Sequence, residues 1–178
     1  MSQSSPPTAA SASDGRANLN PAPAEITGKH VLPEWIDYNG HMNVGYYVVA
    51  FDQALDKLCD QIDLGLDYVK RTNNSIFVLE MHITYQREVV VNDPLRFTWH
   101  LLDWDEKRFH YFMEMHHATE GWLAATSEQI AIHVDLGTRK TCPLPAAQQD
   151  TFRRLAPLHA KVPRAPQVGQ LIGIKRKS

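Results

Sequence analysis

The spacing of apolar residues changes once along this chain, and that change limits what it can build. Tyr47, Phe51, Ala54, Leu55, Leu58 and Ile62 recur at three- and four-residue steps, the period of one helix face. Asp52, Asp56, Lys57 and Asp60 fall mostly on the other side. Neither Gly nor Pro interrupts the run from Tyr46 to Leu64. The pattern predicts a helix of about five turns, with Gly65 as its stop signal. After a polar linker containing Arg71, Asn73 and Asn74, the period becomes two. Phe77, Leu79, Met81, Ile83 and Tyr85 alternate with more polar neighbours, as do Leu95 to Leu101, Phe109 to Met115, and Trp122 to Val134. Turns are expected at Asn92-Asp93-Pro94, Asp103 to Lys107 and Glu120-Gly121.

Short turns between long strands predict an antiparallel four-strand meander, because parallel neighbours need long crossovers. A lone two-sided helix must bury its stripe, and one face of that sheet is the only large apolar surface on offer. The expected fold class is therefore α+β, a long central helix wrapped by a curved antiparallel β-sheet. A short strand at Ile26 to Val31, ended by Pro33, precedes the helix; a short helix from Ala146 to His159, with Phe152 and Leu155 inward, follows the sheet. We expect an N-terminal tail over 1–25, one domain over 26–160 and a basic C-terminal tail over 161–178.

Composition removes several function classes. A net charge of -2 gives no global pull toward nucleic acid or an anionic membrane, and no apolar run approaches the length of a bilayer span. The Ser-, Ala- and Pro-rich start lacks the basic and apolar regions of a secretory signal. Cys59 and Cys142 are far apart in no metal-like spacing, so a reducing, cytoplasmic setting is the default. Among nine histidines, the adjacent His116 and His117 point to opposite faces of a strand, and no metal site is expected.

Chemistry concentrates in Trp35 to Tyr47, W-I-D-Y-N-G-H-M-N-V-G-Y-Y. A short apolar strand breaks at Asp37, turns through Asn39-Gly40-His41, and enters the helix at Asn43, a good N-cap residue. The carboxylate thus lies just upstream of a helix N-terminus, where backbone N–H groups lack intrahelical partners and the macrodipole favours negative charge. That pairing suits attack on a carbonyl: a base or nucleophile on one side, a donor for the oxyanion on the other. Asp before Asn-Gly also serves simply as a turn residue.

The stretch D-Y-N-G-H-M-N-V-G-Y-Y, followed by a long helix and four strands, resembles the hotdog-fold acyl-CoA thioesterases of the 4-hydroxybenzoyl-CoA thioesterase type. Their motif runs D-x-x-G-H-x-N-N-x-x-Y, and Asp37, Gly40, His41, Asn43 and Tyr47 match it. Val44 replaces the second Asn, which removes a side-chain contact but leaves the backbone N–H. P-E-W-I-D-Y-N-G-H-M-N, F-V-L-E-M-H-I-T-Y and A-T-S-E-Q-I-A-I-H-V-D further resemble the betainyl-CoA thioesterases and the thioesterase part of some carnitine dehydrogenases. The resemblance implies hydrolysis of an acyl-CoA, with Asp37 as general base or nucleophile and the Val44 backbone N–H holding the thioester oxygen. Asn43 and His41 match the same motif and are the further catalytic candidates, Asn43 as N-cap or substrate contact and His41 in orienting the loop or touching substrate. The resemblance also implies a homodimer joined edge to edge, often paired again into a homotetramer, with active sites between subunits. No cofactor is implied, since CoA is part of the substrate.

Gly40, Tyr47, Glu128 and Trp35 are the further candidates for contact with substrate. Tyr47 also fits the core, and His41 also fits a loop-stabilising role. Glu128 shares its strand face with Trp122, Ala124, Ile130 and Ile132 and is expected to point inward, as a site group or in a buried hydrogen bond. Glu80 is expected on the solvated face. Trp35, Trp104, Trp122, Tyr38 and Tyr46 are candidates for an aromatic box around a quaternary ammonium, against the usual role of strand aromatics as core. A non-catalytic acyl-CoA binder and an enoyl-CoA hydratase are the competing functions.

Overall fold

The computed structural model describes residues 22–174. Within it the chain forms β1 (Ala24–His30), a 3-10 turn (Pro33–Trp35), α1 (Val44–Gln61), α2 (Leu66–Thr72), β2 (Asn74–Tyr85), β3 (Pro94–Trp104), β4 (Arg108–His117), β5 (Leu123–Asp135), β6 (Lys140–Thr141) and α3 (Ala146–His159). The helix and strand periods therefore fell where the residue spacing put them. The expected polar linker is in part the seven-residue α2, whose one buried residue, Tyr68, is too little periodicity to read. Gly65 does not stop α1, which ends at Gln61. It caps α2 instead, and a Cβ there would lie 2.9 Å from the Asp60 backbone nitrogen, so close approach is what requires glycine.

The sheet is antiparallel throughout, in the order β1-β3-β4-β5-β2, with β6 pairing on β5. Only β3, β4 and β5 form a meander. β2 lies against β5 at the far edge rather than beside β3, because residues 86–93 are a crossing segment and not a short turn. That segment is pinned on the way: Val89 is fully buried and its carbonyl accepts from Met42 N–H at 2.9 Å, while Val31 exchanges backbone bonds with Asn92 and Asp93.

The helix α1 lies inside the sheet's curve. Tyr47, Ala50, Phe51, Ala54, Leu55, Leu58 and Cys59 are its buried face. They join one core with Phe97, Trp99, Phe109, Tyr111, Met113 and Met115. Phe51 meets Phe97 edge-on at 5.7 Å between centroids. Burying a side chain such as Phe51 or Leu58 contributes about 1.5–3 kcal/mol, so this face outweighs any single capping bond in holding the helix. Opposite Tyr111, β5 offers Gln129, which accepts the phenol hydrogen at 2.7 Å and donates to Ser127, so this inner polar pair is satisfied. Burial pushes the Cys59 thiol far above its ordinary range, in keeping with a packing role.

Past its last pair with β1 at Ala24, β3 continues to Trp104 with that side unpaired, and α3 covers it. Phe152 packs on Trp104 and Phe109. The fully buried His159 accepts the Leu101 N–H on Nδ1 at 3.0 Å, and its carbonyl accepts from His100 Nε2 at 2.9 Å. Residues 161–174, expected as a tail, continue over the outer face of the sheet, where Gly169 N–H donates to Glu128 at 2.7 Å. The expected N-terminal tail up to residue 21 and the basic Lys175-Arg176-Lys177 lie outside the described residues.

An Nδ1 that accepts a backbone N–H must be unprotonated, and burial, with His100 nearby, lowers the His159 pKa from 6.5 to about 4. Below pH 6.5 the unfolded chain binds a proton that the folded chain refuses until about pH 4. Stability must then fall with pH across that window. Urea midpoints at pH 7 and pH 5 check this: the native chain should lose more stability between them than His159→Leu, and equal losses would refute it.

Candidate active site

The residues around Asp37 fold as they do for local reasons. An isolated bridge pairs Ile36 with Met42, Asp37 N–H donates to the His41 carbonyl at 3.1 Å, and Gly40 N–H closes a turn onto the Asp37 carbonyl at 3.0 Å. Gly40 has φ +82°, a left-handed conformation that suits glycine. The turn brings the Asp37 side chain back over the start of α1.

Asn43 joins the two. Its side-chain oxygen accepts the Gly45 N–H at 3.0 Å and caps α1, while its amide nitrogen donates to Asp37 Oδ2 at 3.3 Å. Asp37 Oδ1 accepts the Asn39 N–H at 2.8 Å. The half-buried carboxylate is thus held by one donor on each oxygen. The Tyr46 N–H is taken by the Asn43 carbonyl and the Gly45 N–H by its side chain. The Val44 N–H, first in the helix, has no intrahelical acceptor and sits at the positive end of the macrodipole.

Val44 lines a cavity of about 330 Å³, with His41 and Met42 on one side and Tyr47 on its floor. Tyr85, Gln86, Arg87 and Glu88, consecutive in the chain, form another part of its wall. Tyr47 and Tyr85 meet edge-on at 5.1 Å. Burial raises the Tyr47 pKa, offset in part by a hydrogen bond to the Val89 backbone and reinforced by the charges of Tyr85, Glu88 and Asp93. Burial likewise raises Tyr85, so both phenols keep their protons at neutral pH. The Arg87 guanidinium lies over the Trp122 ring at 4.2 Å.

The structure therefore brings His41, Asn43, Val44 and Tyr47 together, with Asp37 one hydrogen bond away through Asn43 and Gly40 in the supporting turn. Asp37 itself is outside the cavity lining. Two candidates are misplaced. Trp35 is buried, stacked on Tyr46 at 5.7 Å, and does not line the cavity, so it supports the loop from beneath. Glu128 does not point inward: it bonds His110 at 2.9 Å and Gly169 N–H on the outer face. That face holds a separate cavity of about 570 Å³ that also includes Glu80 and His82. Apolar neighbours misled the reading because that face is partly covered too. The five aromatics do not form one box: Tyr38 is 97% exposed at the turn, Trp104 packs on Phe152, and Trp122 stacks on His117.

Tyr85, Arg87 and Glu88 were not singled out from sequence. Their only signal was position at and just past the end of β2, which means nothing until the chain is known to cross back over α1. Among the described residues, no three His, Cys, Asp or Glu side chains gather as a metal site, and no helix is long and apolar enough to cross a membrane.

Comparison with known proteins agrees with this architecture. Residues 31–152 match the model of the thioesterase-like superfamily. The betainyl-CoA thioesterase of Pseudomonas aeruginosa is 33% identical over 81% of this chain and 91% of its own length. The L-carnitine dehydrogenase/betainyl-CoA thioesterase of Rhizobium meliloti is 34% identical over 86% of this chain, which spans only 31% of that longer protein. A Staphylococcus aureus protein solved in complex with CoA superposes with TM-score 0.78 at 26% identity, covering 85% of this chain and 94% of that one. A 1,4-dihydroxy-2-naphthoyl-CoA thioesterase from Synechocystis, at TM-score 0.64 and 18% identity over 74% of this chain and 98% of that one, shares the fold. The chain belongs to the thioesterase-like superfamily, and its curved sheet around a central helix is the hotdog fold.

The dual use of Asn43 is testable by stability alone. Asn43→Ala removes the cap and should cost about 1 kcal/mol in chemical denaturation. Asn43→Ser keeps a capping oxygen and should cost only a few tenths of that penalty's size, roughly 0.3 kcal/mol. Equal losses for the two would show that the cap is not what Asn43 provides.

Proposed function

We propose that this chain is an acyl-CoA thioesterase, hydrolysing a thioester to a free acid and CoA, with betainyl-CoA as the preferred substrate. The observation that carries the proposal is the Asn43 link, which fixes a carboxylate beside a helix start whose first N–H is unclaimed. Family membership and the names of the two bacterial relatives support it.

In this reading the thioester carbonyl oxygen faces the Val44 N–H. Asp37 takes a proton from water as the water oxygen bonds the acyl carbon, and negative charge builds on the oxygen held at the helix start. Collapse of the tetrahedral intermediate re-forms the carbonyl, breaks the C–S bond and releases CoA thiolate, which takes up the proton. A direct attack by Asp37 gives a mixed anhydride that water then opens, with the same products. The scheme uses water, one carboxylate and one backbone donor. His41 and Asn43 keep that donor and that acid in register.

The same reading makes the working unit a homodimer joined through β2, with pairing of dimers into a homotetramer as its larger form. β2 ends the sheet, and Phe77, Val78 and Leu79 along it are 38%, 39% and 57% exposed. An open, apolar edge of this kind invites pairing.

Thiol release from a panel of acyl-CoAs tests the assignment. Asp37→Asn should lower kcat by roughly 10²- to 10⁴-fold with little change in folding. Equal turnover by native protein and Asp37→Asn would remove Asp37 from the chemistry, and no turnover of any thioester would remove the function.

A further inference from the structure

Beyond the helix start, the cavity has a chemical character that the reaction itself does not require. Thioester hydrolysis needs a base and an oxyanion donor. It does not need two aromatic rings and a second carboxylate in the lining. Tyr47 and Tyr85 present phenol rings at right angles, 5.1 Å apart, and Glu88 lines the same wall. Glu88 forms no ion pair with any described residue, whereas its neighbour Arg87 is drawn onto Trp122.

We propose that Tyr47, Tyr85 and Glu88 form a subsite for a quaternary ammonium on the acyl group, and that Glu88 and Tyr85 set the preference for a cationic over a neutral acyl chain. The inference rests on the thioesterase reading and adds to it the residues that choose the substrate.

The chemistry follows from the groups present. A trimethylammonium ion donates no hydrogen bonds, so it is recognised by ring faces and by charge. Rings supply the negative quadrupole and exclude water from the methyl groups. A carboxylate without a cation partner supplies the countercharge. Arg87, the one permanent cation in the lining, has its guanidinium over the Trp122 ring. The site also lies within one helical turn of the Val44 N–H, because Tyr47 follows Val44 on α1. An acyl group with a single carbon between carbonyl and nitrogen fits that short separation; a long acyl chain does not.

The decisive comparison uses betainyl-CoA and 3,3-dimethylbutanoyl-CoA, which replaces the quaternary nitrogen by carbon and so keeps the shape while removing the charge. The native chain should favour the cationic thioester in kcat/KM by about tenfold or more, the scale of a partly desolvated cation–π contact with a countercharge. Glu88→Gln and Tyr85→Leu should each collapse that ratio, while Glu88→Asp and Tyr85→Phe, which keep the charge and the ring, should retain it. A native chain that does not discriminate, or a ratio unmoved in Glu88→Gln and Tyr85→Leu, overturns the subsite even if both thioesters are cleaved. Calorimetric binding of the two thioether analogues, in which CH2 replaces the thioester carbonyl, separates the two ideas. Tighter binding of the cationic analogue, lost in Glu88→Gln, supports the subsite even if no thioester is turned over. Equal binding of both analogues overturns it.

Discussion

One side-chain amide holds the site in place. Asn43 spends its oxygen on the first turn of α1 and its nitrogen on Asp37. The arrangement solves a competition. A carboxylate close to a helix start is itself a good cap, and left alone Asp37 would be drawn onto the N–H groups that the proposed chemistry uses. Asn43 occupies the cap without charge and ties the acid to one side. The Val44 N–H then stays open to a ligand while the macrodipole is left uncancelled. An aspartate at position 43 would cap as well, but it would place a second negative charge beside Asp37 and donate nothing to it.

The cavity beside that helix start is a consequence of strand order. Because β2 and β3 sit on different flanks of the sheet, the link between them has to travel across the mouth of the fold, over the beginning of α1. Backbone bonds fasten it there, from Met42 to Val89 and between Val31 and the Asn92-Asp93 pair. The wall made of Tyr85, Arg87 and Glu88 is therefore part of the architecture rather than an appended loop. Its position relative to Val44 is set by the buried Val89. Side chains on such a wall can vary to suit a ligand without disturbing the core, since the anchoring is done by backbone groups and one apolar residue.

This also explains which parts of the molecule were legible in the residues alone. Periodicity is local, so α1, α3 and the four long strands could be read from it. The placement of Asp37 just before a helix start at Asn43 was legible for the same reason, whereas the hydrogen bond between their side chains was not. Adjacency of strands is not local. Nothing in the apolar pattern of β2 says that it pairs with β5, and so the crossing and its wall were invisible. Glu128 shows a second limit. Both faces of β5 carry apolar residues, and the inner one is fixed by register, Tyr111 opposite Gln129, not by hydrophobicity. The outer face is apolar enough to mislead because the segment around Gly169 lies over it. Trp35 was misread in the opposite sense, as a ligand contact, when its stacking on Tyr46 makes it the floor under the loop.

The two ends of the sheet differ in a way that bears on function. Beyond β1 the open side of β3 is closed within the chain, by α3 and the neutral ring of His159. At the other end no described residue covers the edge of β2 in this way, and its middle residues are apolar and exposed. Tyr85, the last residue of β2, is also the first residue of the cavity wall. Pairing through β2 would therefore bring a second copy to the mouth of the cavity, removing water from the face of Glu88 and Tyr85 that is open in a single chain. Interactions with a cation strengthen as water is excluded. On the dimer reading, assembly and substrate choice are then two effects of the same strand.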